Sequence, residues 1–256
     1  MRIAVFVKQV PDPSGAGRLD PATNLLVREG VEVVLDPGDA YGIEAALQLA
    51  EASQGEVVVI SMGGERALEV VRKAMAMGAG SGLHVFDQRL RGSDALATAR
   101  VLAAAVSRVA PDLVVAGTES TDGYTGIVPA AVAELLGWPS LTFAKHLELS
   151  GSTVRVQRQT PAGHDLVEAG LPAVVTVTGG INEPRYPTLK GIMGAKSRPL
   201  EQLSIDDLGL DAAALIPQQR VVAVEVAPQR QAGRVVDDDG SAARLIADYL
   251  AELKVL

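Results

Sequence analysis

The chain has 256 residues, a formal net charge of −8, three histidines and no cysteine. This acidic balance argues against a nucleic-acid-binding protein, which needs a basic face, and the lack of cysteine excludes disulfides, thiol catalysis and thiolate-bound metals. Apolar residues make up 48% of the chain but aromatic residues only 3%. A core of valine, leucine, alanine and isoleucine is typical of a mainly parallel α/β sheet.

The first half of the chain alternates short apolar runs with longer helical patterns. The predicted strands are 3–7, 31–35, 56–61, 83–86 and 112–116, and the predicted helices are 39–53, 65–77, 94–110 and about 124–136. We expect Asp39 to cap the first helix, because its carboxylate can accept amides of the first turn. The alternation predicts an α/β fold with a doubly wound, mainly parallel, Rossmann-like sheet and right-handed crossovers.

The pattern changes after residue 139. An alternating stretch at 147–159 predicts a β-hairpin at the sheet edge, and 173–177 predicts a buried strand, whereas 197–220 is expected to be irregular. A strand at 221–226, a polar arm and an amphipathic helix at 241–253 follow. The predicted organisation is one domain at 1–220 and a C-terminal arm with its helix at 221–256. This arm either folds back or reaches a partner.

Residues 181–196 carry the most unusual composition. Pro184 and Pro187 each remove a backbone donor and favour extended geometry in the residue before them. We expect a stiff loop that leads into a short helix presenting Leu189, Ile192 and Met193. Such a segment suits protein docking; the alternative is an ordinary connection whose apolar residues pack on the body of the domain.

No catalytic motif is present, which disfavours an enzyme that does acid–base chemistry by itself. A nucleotide site is better supported, because ligands of open parallel sheets bind beyond the carboxyl ends of strands where the strand order reverses. The loop at 117–126 offers hydroxyl groups, three glycines that allow close approach, and the start of a helix that can hold phosphate through its amides. The alternative is a polar loop that only caps its helix.

Several stretches resemble the electron transfer flavoprotein beta subunit family, in the same order along nearly the whole chain. They are VFVKQVPD (5–12), LDP (35–37), VRKAMAMGA (71–79), AGTESTDGYTG (116–126), AELLGWP (133–139), LPAVVTV (171–177), NEPRYPTLKGIM (182–193) and APQRQAG (227–233). The most specific of them is the segment at 182–193, which is similar to the recognition loop of that family, together with PQRQAG downstream.

The resemblance implies a non-enzymatic electron carrier that forms a heterodimer with an alpha subunit. FAD would be held mostly by alpha and AMP by this chain. Electrons would pass from acyl-CoA dehydrogenases of fatty acid β-oxidation, or from other flavoprotein dehydrogenases, to a membrane quinone oxidoreductase. No nucleic-acid binding and no membrane insertion are expected, and the expected location is cytoplasmic. The arm at 221–256 would pack on the alpha subunit.

The resemblance also carries site residues. The implied nucleotide-contacting positions are Phe6, Asp36, Pro37, Gly38, Asp39, Met62, Gly117, Thr118, Glu119, Ser120, Thr121, Asp122, Gly123, Tyr124 and Thr125. The implied partner-docking positions are Arg185, Tyr186, Leu189, Lys190, Ile192 and Met193, with Leu189 as the anchor and the two basic residues steering acidic partners.

At 119–124 the loop departs from the common family pattern, so two other functions stay open. One is a bifurcating subunit that holds a second FAD in place of AMP. The other is a stand-alone adenine-nucleotide-binding module, which would leave the segment at 182–193 unexplained.

Overall fold

The computed structural model describes residues 1–15, 17–225, 233 and 235–255. The chain divides into two compact units, Met1–Val222 and Ala223–Leu256. No helix within the described residues has the length and apolar character needed to cross a membrane.

Eleven strands and six α-helices are found in the described residues. The strands are β1 (Arg2–Phe6), β2 (Gln9–Pro11), β3 (Val33–Leu35), β4 (Glu56–Met62), β5 (Ser81–Val85), β6 (Leu113–Gly117), β7 (Ser140–Ser150), β8 (Thr153–Thr160), β9 (Gly163–Gly170), β10 (Ala173–Val177) and β11 (Leu200–Leu203). The helices are α1 (Pro37–Ser53), α2 (Leu68–Met77), α3 (Ala95–Val109), α4 (Val128–Leu136), α5 (Leu189–Ala195) and α6 (Ala242–Glu252).

Nine strands form one sheet in the order β11-β5-β4-β1-β6-β10-β7-β8-β9. Every pair from β11 to β7 is parallel, and β7, β8 and β9 are joined in antiparallel fashion. Strands β2 and β3 make a separate antiparallel pair. The predicted α/β fold with a mainly parallel sheet is confirmed.

Alternate residues of β1 point into two different cores. Ile3 and Val5 pack with the buried faces of α1 and α2, whereas Ala4 and Phe6 pack with α3 and α4. Helices therefore cover both faces, as near-continuous apolar strands require. Strand β1 lies between β4 and β6, so the order reverses beside it, and the ends of β1 and β6 form the switch point of the sheet.

Five sequence predictions need correction. The cap of α1 is Asp36, whose carboxylate accepts the Gly38 amide, and not Asp39. Helix α4 begins at Val128 and not near 124, because Tyr124 and Gly126 have positive φ angles of 47° and 67° that a right-handed helix cannot contain.

The other three corrections concern strands. The edge hairpin has a third strand, β9, and the stretch expected to be irregular contains β11. Residues 221–225 form no strand, and position 226 of that prediction lies outside the described residues.

Candidate functional site

Asp36 organises the sheet edge at which the predicted nucleotide segments meet. Its side chain is fully buried. One carboxylate oxygen accepts the Gly38 amide at 2.8 Å, and the other accepts the amide and the hydroxyl of Thr121 at 2.7 and 3.0 Å. One carboxylate therefore caps α1 and ties its first turn to the loop that follows β6.

Asp39 lies in the first turn of α1 and is also buried. Its carboxylate accepts the Lys8 amide at 2.7 Å. Burial, and next the nearby charge of Asp36, raise the pKa of Asp39 well above its ordinary value. A Cβ atom at Gly117 would lie 2.9 Å from a carboxylate oxygen of Asp39, so glycine is needed where β6 ends against α1.

Two basic residues that sequence reasoning missed fasten the loop after β6. Lys8 Nζ lies 2.7 Å from Asp122 Oδ1 and 3.1 Å from Ser120 Oγ, and Arg28 pairs with the other Asp122 oxygen. The Asp122 side chain is only 1% exposed. Burial would raise the pKa of Asp122, but the charge and hydrogen bonds of its partners outweigh burial and hold the pKa below its ordinary value.

The end of this loop is exposed. Residues 123–127 all face solvent, with Tyr124 at 65% exposure, and α4 begins directly after them. The first amides of a helix have no acceptor within the helix, and its dipole favours an anion there. The buried carboxylates already bind groups of the chain itself, and the Gly123 and Tyr124 amides donate to the carbonyl oxygen of Ser120. The amides from Thr125 to the start of α4 and the Thr125 hydroxyl are therefore the groups that suit a phosphate.

The remaining predicted site residues lie around this edge. Phe6 is buried at the end of β1, and Met62 packs partly exposed on the same core at the end of β4. Thr118 donates its hydroxyl proton to the carbonyl oxygen of Val177 at 3.0 Å, which joins the loop to β10. Glu119 is exposed on the loop. The structure therefore brings the predicted nucleotide segments to one edge, with Phe6 as part of the core beneath it.

The segment at 181–196, which we call the docking segment, presents apolar side chains to solvent. Tyr186, Leu189, Ile192 and Met193 are exposed by 91, 79, 47 and 71%. The predicted short helix is present as α5, and the hydroxyl of its cap, Thr188, accepts the Gly191 amide at 3.0 Å. Tyr186, Leu189 and Met193 are therefore mostly uncovered, whereas the apolar residues of an ordinary connection would pack on the body of the domain.

The backbone under these side chains is held on α2. Arg72 donates to the carbonyl oxygens of Ala195 and Lys196, and Arg198 donates to those of Met75 and Ala79. A Cβ atom at Gly191 would lie 2.2 Å from the carbonyl oxygen of Ala76. Helix α5 can therefore lie this close to α2 only because residue 191 is glycine.

The contacts of Arg185 differ from those expected of a residue that steers acidic partners. Its guanidinium contacts Glu44 at 2.7 and 3.0 Å and Glu51 at 2.5 and 3.2 Å. Two carboxylates surround one cation, so this group of three has excess negative charge. The interpretation of Arg185 as a residue that steers acidic partners does not fit these contacts, whereas Lys190 is exposed on α5.

Comparison with known proteins identifies the family of this chain. The model of the electron transfer flavoprotein domain family matches residues 23–208. The chain is 38% identical over 263 residues to the electron transfer flavoprotein subunit beta of Mycobacterium tuberculosis, covering 99% of both chains. The chain belongs to the electron transfer flavoprotein beta subunit family.

Two further members show the breadth of this family. The electron transfer flavoprotein subunit beta of Megasphaera elsdenii is 35% identical over 265 residues, covering 98% of this chain and 97% of that protein. The caffeyl-CoA reductase-Etf complex subunit CarD of Acetobacterium woodii is 37% identical over 216 residues, covering 84% and 82%. The relatives of this chain thus include a subunit of a caffeyl-CoA reductase-Etf complex.

Only one of the two missed basic residues in this beta subunit had a sequence signal. Lys8 directly follows the first buried strand, a position from which a side chain reaches the switch point. Arg28 lies in a polar excursion without periodicity, and its partner is 94 positions away. Pairings of this kind are tertiary and leave no local pattern.

Proposed function

We propose that this chain is the beta subunit of a heterodimeric electron transfer flavoprotein. It accepts electrons from acyl-CoA dehydrogenases or other flavoprotein dehydrogenases and passes them to a membrane quinone oxidoreductase. The alpha subunit holds most of the FAD, and this chain holds AMP. When bound, the flavin supplies the redox chemistry, and the residues of this chain position the cofactors and the partner.

The observation that carries this proposal is the exposed apolar docking segment on a fastened backbone. Leu189 is 79% exposed, yet the backbone of α5 is held against α2. An exposed leucine adds little to folding, so its value lies in a contact. Burying it in a pocket of a dehydrogenase is worth ~1.5–3 kcal/mol, and a fastened backbone loses little entropy on binding.

The sheet edge supports AMP as the ligand of this chain. Its exposed amides and the Thr125 hydroxyl suit one phosphate group, and the α4 dipole favours the negative charge. Of the buried carboxylates below, Asp122 is paired with Lys8 and Arg28, and the raised pKa of Asp39 favours its neutral form. Repulsion of the phosphate is thereby reduced.

The C-terminal unit is proposed to bind the alpha subunit. Among its described residues, α6 and its C-terminal cap carry four apolar side chains, Leu245, Ile246, Tyr249 and Leu253, which are exposed by 40, 54, 57 and 55%. A helix with such an apolar face needs a partner surface to cover it.

Purification with the alpha subunit tests the proposed function. The heterodimer should release about one FAD and one AMP on acid extraction, as identified by mass spectrometry. Isolation of this chain as a free monomer with an adenine nucleotide, and no binding to alpha, would instead assign a stand-alone nucleotide-binding module. Absence of any nucleotide would contradict the proposed nucleotide site at the sheet edge.

A bifurcating subunit with a second FAD is the alternative function. Its supporting observation is the 37% identity to a subunit of a caffeyl-CoA reductase-Etf complex. The same extraction separates the two functions, because two FAD and no AMP per heterodimer would indicate the alternative.

A further inference from the structure

Glu44 contacts the docking segment from beneath and has no part in the nucleotide edge. It lies in the second turn of α1, and its side chain is only 5% exposed. One carboxylate oxygen accepts both Gln48 Nε2 at 2.9 Å and Arg185 Nη2 at 3.0 Å, and the other accepts Arg185 Nε at 2.7 Å and the Arg185 amide at 3.2 Å. The carboxylate therefore binds both the side chain and the backbone of the docking segment.

The protonation of Glu44 is fixed by this contact. Burial alone would raise the pKa of Glu44, but the hydrogen bonds from Arg185 and Gln48 outweigh burial and hold the pKa below its ordinary value. A buried carboxylate without its partner is costly, whereas a bidentate pair with arginine has a defined geometry. The contact thus sets the direction in which the chain leaves Arg185 toward Tyr186 and Leu189.

The helix that carries Glu44 is a rigid support. Ile43 and Ala46 are fully buried in the core, and a Cβ atom at Gly42 would lie 3.5 Å from the backbone of β6. The side-chain amide of Asn182 adds a second contact, because its Nδ2 donates to the carbonyl oxygen of Tyr41 at 3.0 Å. Helix α1 therefore holds the start of the docking segment, while α2 holds its end.

We propose that Glu44 is a positioning residue for docking of the dehydrogenase. Through its contacts with Arg185, Glu44 fixes the orientation in which Tyr186 and Leu189 face the partner. This inference rests on the proposed docking function. Because its side chain is only 5% exposed, Glu44 acts by holding Arg185 and not by contacting the partner. Arg185 serves as the link between the rigid helix and the exposed anchors, and not as a charge that attracts the partner.

Salt dependence separates positioning from steering. In electron-transfer assays of the holo heterodimer with a flavoprotein dehydrogenase as donor, Arg185→Gln should raise KM for the donor about three- to tenfold. That ratio should persist at about 1 M salt, where the Debye length is ~3 Å. For Lys190→Gln, by contrast, the rise in donor KM relative to the unchanged protein should disappear at about 1 M salt. If the Arg185→Gln ratio also disappears, the residue steers and the inference is wrong.

A double-mutant comparison tests the link itself. Glu44→Gln, which keeps the size of the side chain, should raise donor KM by a similar factor but add nothing in an Arg185→Gln background. Glu148→Gln and Arg155→Gln, exposed charges on the edge hairpin, are matched controls that should leave KM unchanged. Full additivity of the two changes would overturn the inference.

The reference variant is Leu189→Ala. If Leu189→Ala weakens transfer while Glu44→Gln and Arg185→Gln do not, docking stands and the positioning role falls. If Leu189→Ala itself has no effect, the docking function on which the inference rests has failed. Flavin content and the melting temperature are recorded for each variant, and Glu51→Gln, which changes the exposed partner of Arg185, should have a smaller effect than Glu44→Gln.

Discussion

Helix α1 supports two regions that differ in the burial of their functional side chains. At its first turn, the carboxylates of Asp36 and Asp39 are buried and bound to groups of the chain itself. In the second turn, Glu44 holds a segment whose apolar side chains Tyr186 and Leu189 are exposed. The nucleotide edge is shaped by internal hydrogen bonds, whereas the docking segment keeps its contact groups free on a fastened backbone.

This difference shows which groups each region uses within the chain and which groups it leaves for a partner. The buried carboxylates at the edge are satisfied inside the chain, because buried polar groups without partners would destabilise the fold. At the docking segment, the hydrogen bonds secure the backbone and the apolar side chains are left for a partner. Changes at the edge should therefore alter stability and ligand binding, and changes at the docking segment should alter transfer from the donor.

Removal of the C-terminal unit has the largest expected effect. Truncation after Ala227 should abolish formation of the heterodimer, because the truncated chain no longer offers the apolar face of α6 to the alpha subunit. It should leave a folded beta core, because both regions on α1 remain intact. Co-purification and circular dichroism measure the two results. A truncated chain that still binds alpha at full strength would contradict the proposed role of this unit.

Gly191→Ala should sharpen the comparison by displacing α5 without changing an exposed side chain. The new Cβ atom would lie 2.2 Å from the Ala76 carbonyl oxygen, so α5 must move away from α2. We expect a loss of ~1–3 kcal/mol in the free energy of unfolding and a clear rise in donor KM. Gly194→Ala is the matched control in the same helix, because no atom lies within 4 Å of its added Cβ. Equal effects of the two substitutions would contradict the close packing of α5 on α2.

Asp39→Asn should give the smallest effect, and its effect should fall on stability. The pKa of Asp39 is raised in the folded state, so between the two pKa values the folded protein binds more protons than the unfolded chain. The contribution of Asp39 to stability therefore falls as pH rises from the unfolded pKa of ~3.9 through the folded pKa. The asparagine variant should remove this fall and melt at a higher temperature at neutral pH. Thermal melts from pH 4 to 8, with Asp165→Asn on β9 as an exposed control, measure it; a lower melting temperature at neutral pH would be the contrary result.

The parallel sheet and the docking helix were predictable because their signals are local. Continuous apolar runs indicate buried strands, and Pro184 and Pro187 indicated a stiff loop that leads into a short helix. Strands β9 and β11 were missed because both are edge strands without clear alternation. Asp36 replaced Asp39 as the cap because Pro37 starts the helix two residues earlier than the pattern indicated.

The contacts that fasten the two regions could not be predicted. Arg185 binds Glu44 across 141 positions and Lys8 binds Asp122 across 114. No local pattern encodes such pairs, because they depend on which strands the sheet brings side by side. For the same reason the sequence indicated a basic steering residue at Arg185, where the structure gives it two carboxylate partners.

The most direct test of the account is Leu189→Ala in the holo heterodimer. Burial of this leucine in a partner is worth ~1.5–3 kcal/mol, so transfer from the dehydrogenase should fall about 10- to 100-fold. The melting temperature, flavin content and flavin spectrum should stay unchanged, because Leu189 is 79% exposed. A large drop in melting temperature with transfer intact would contradict the docking role and place Leu189 among the residues that stabilise the fold.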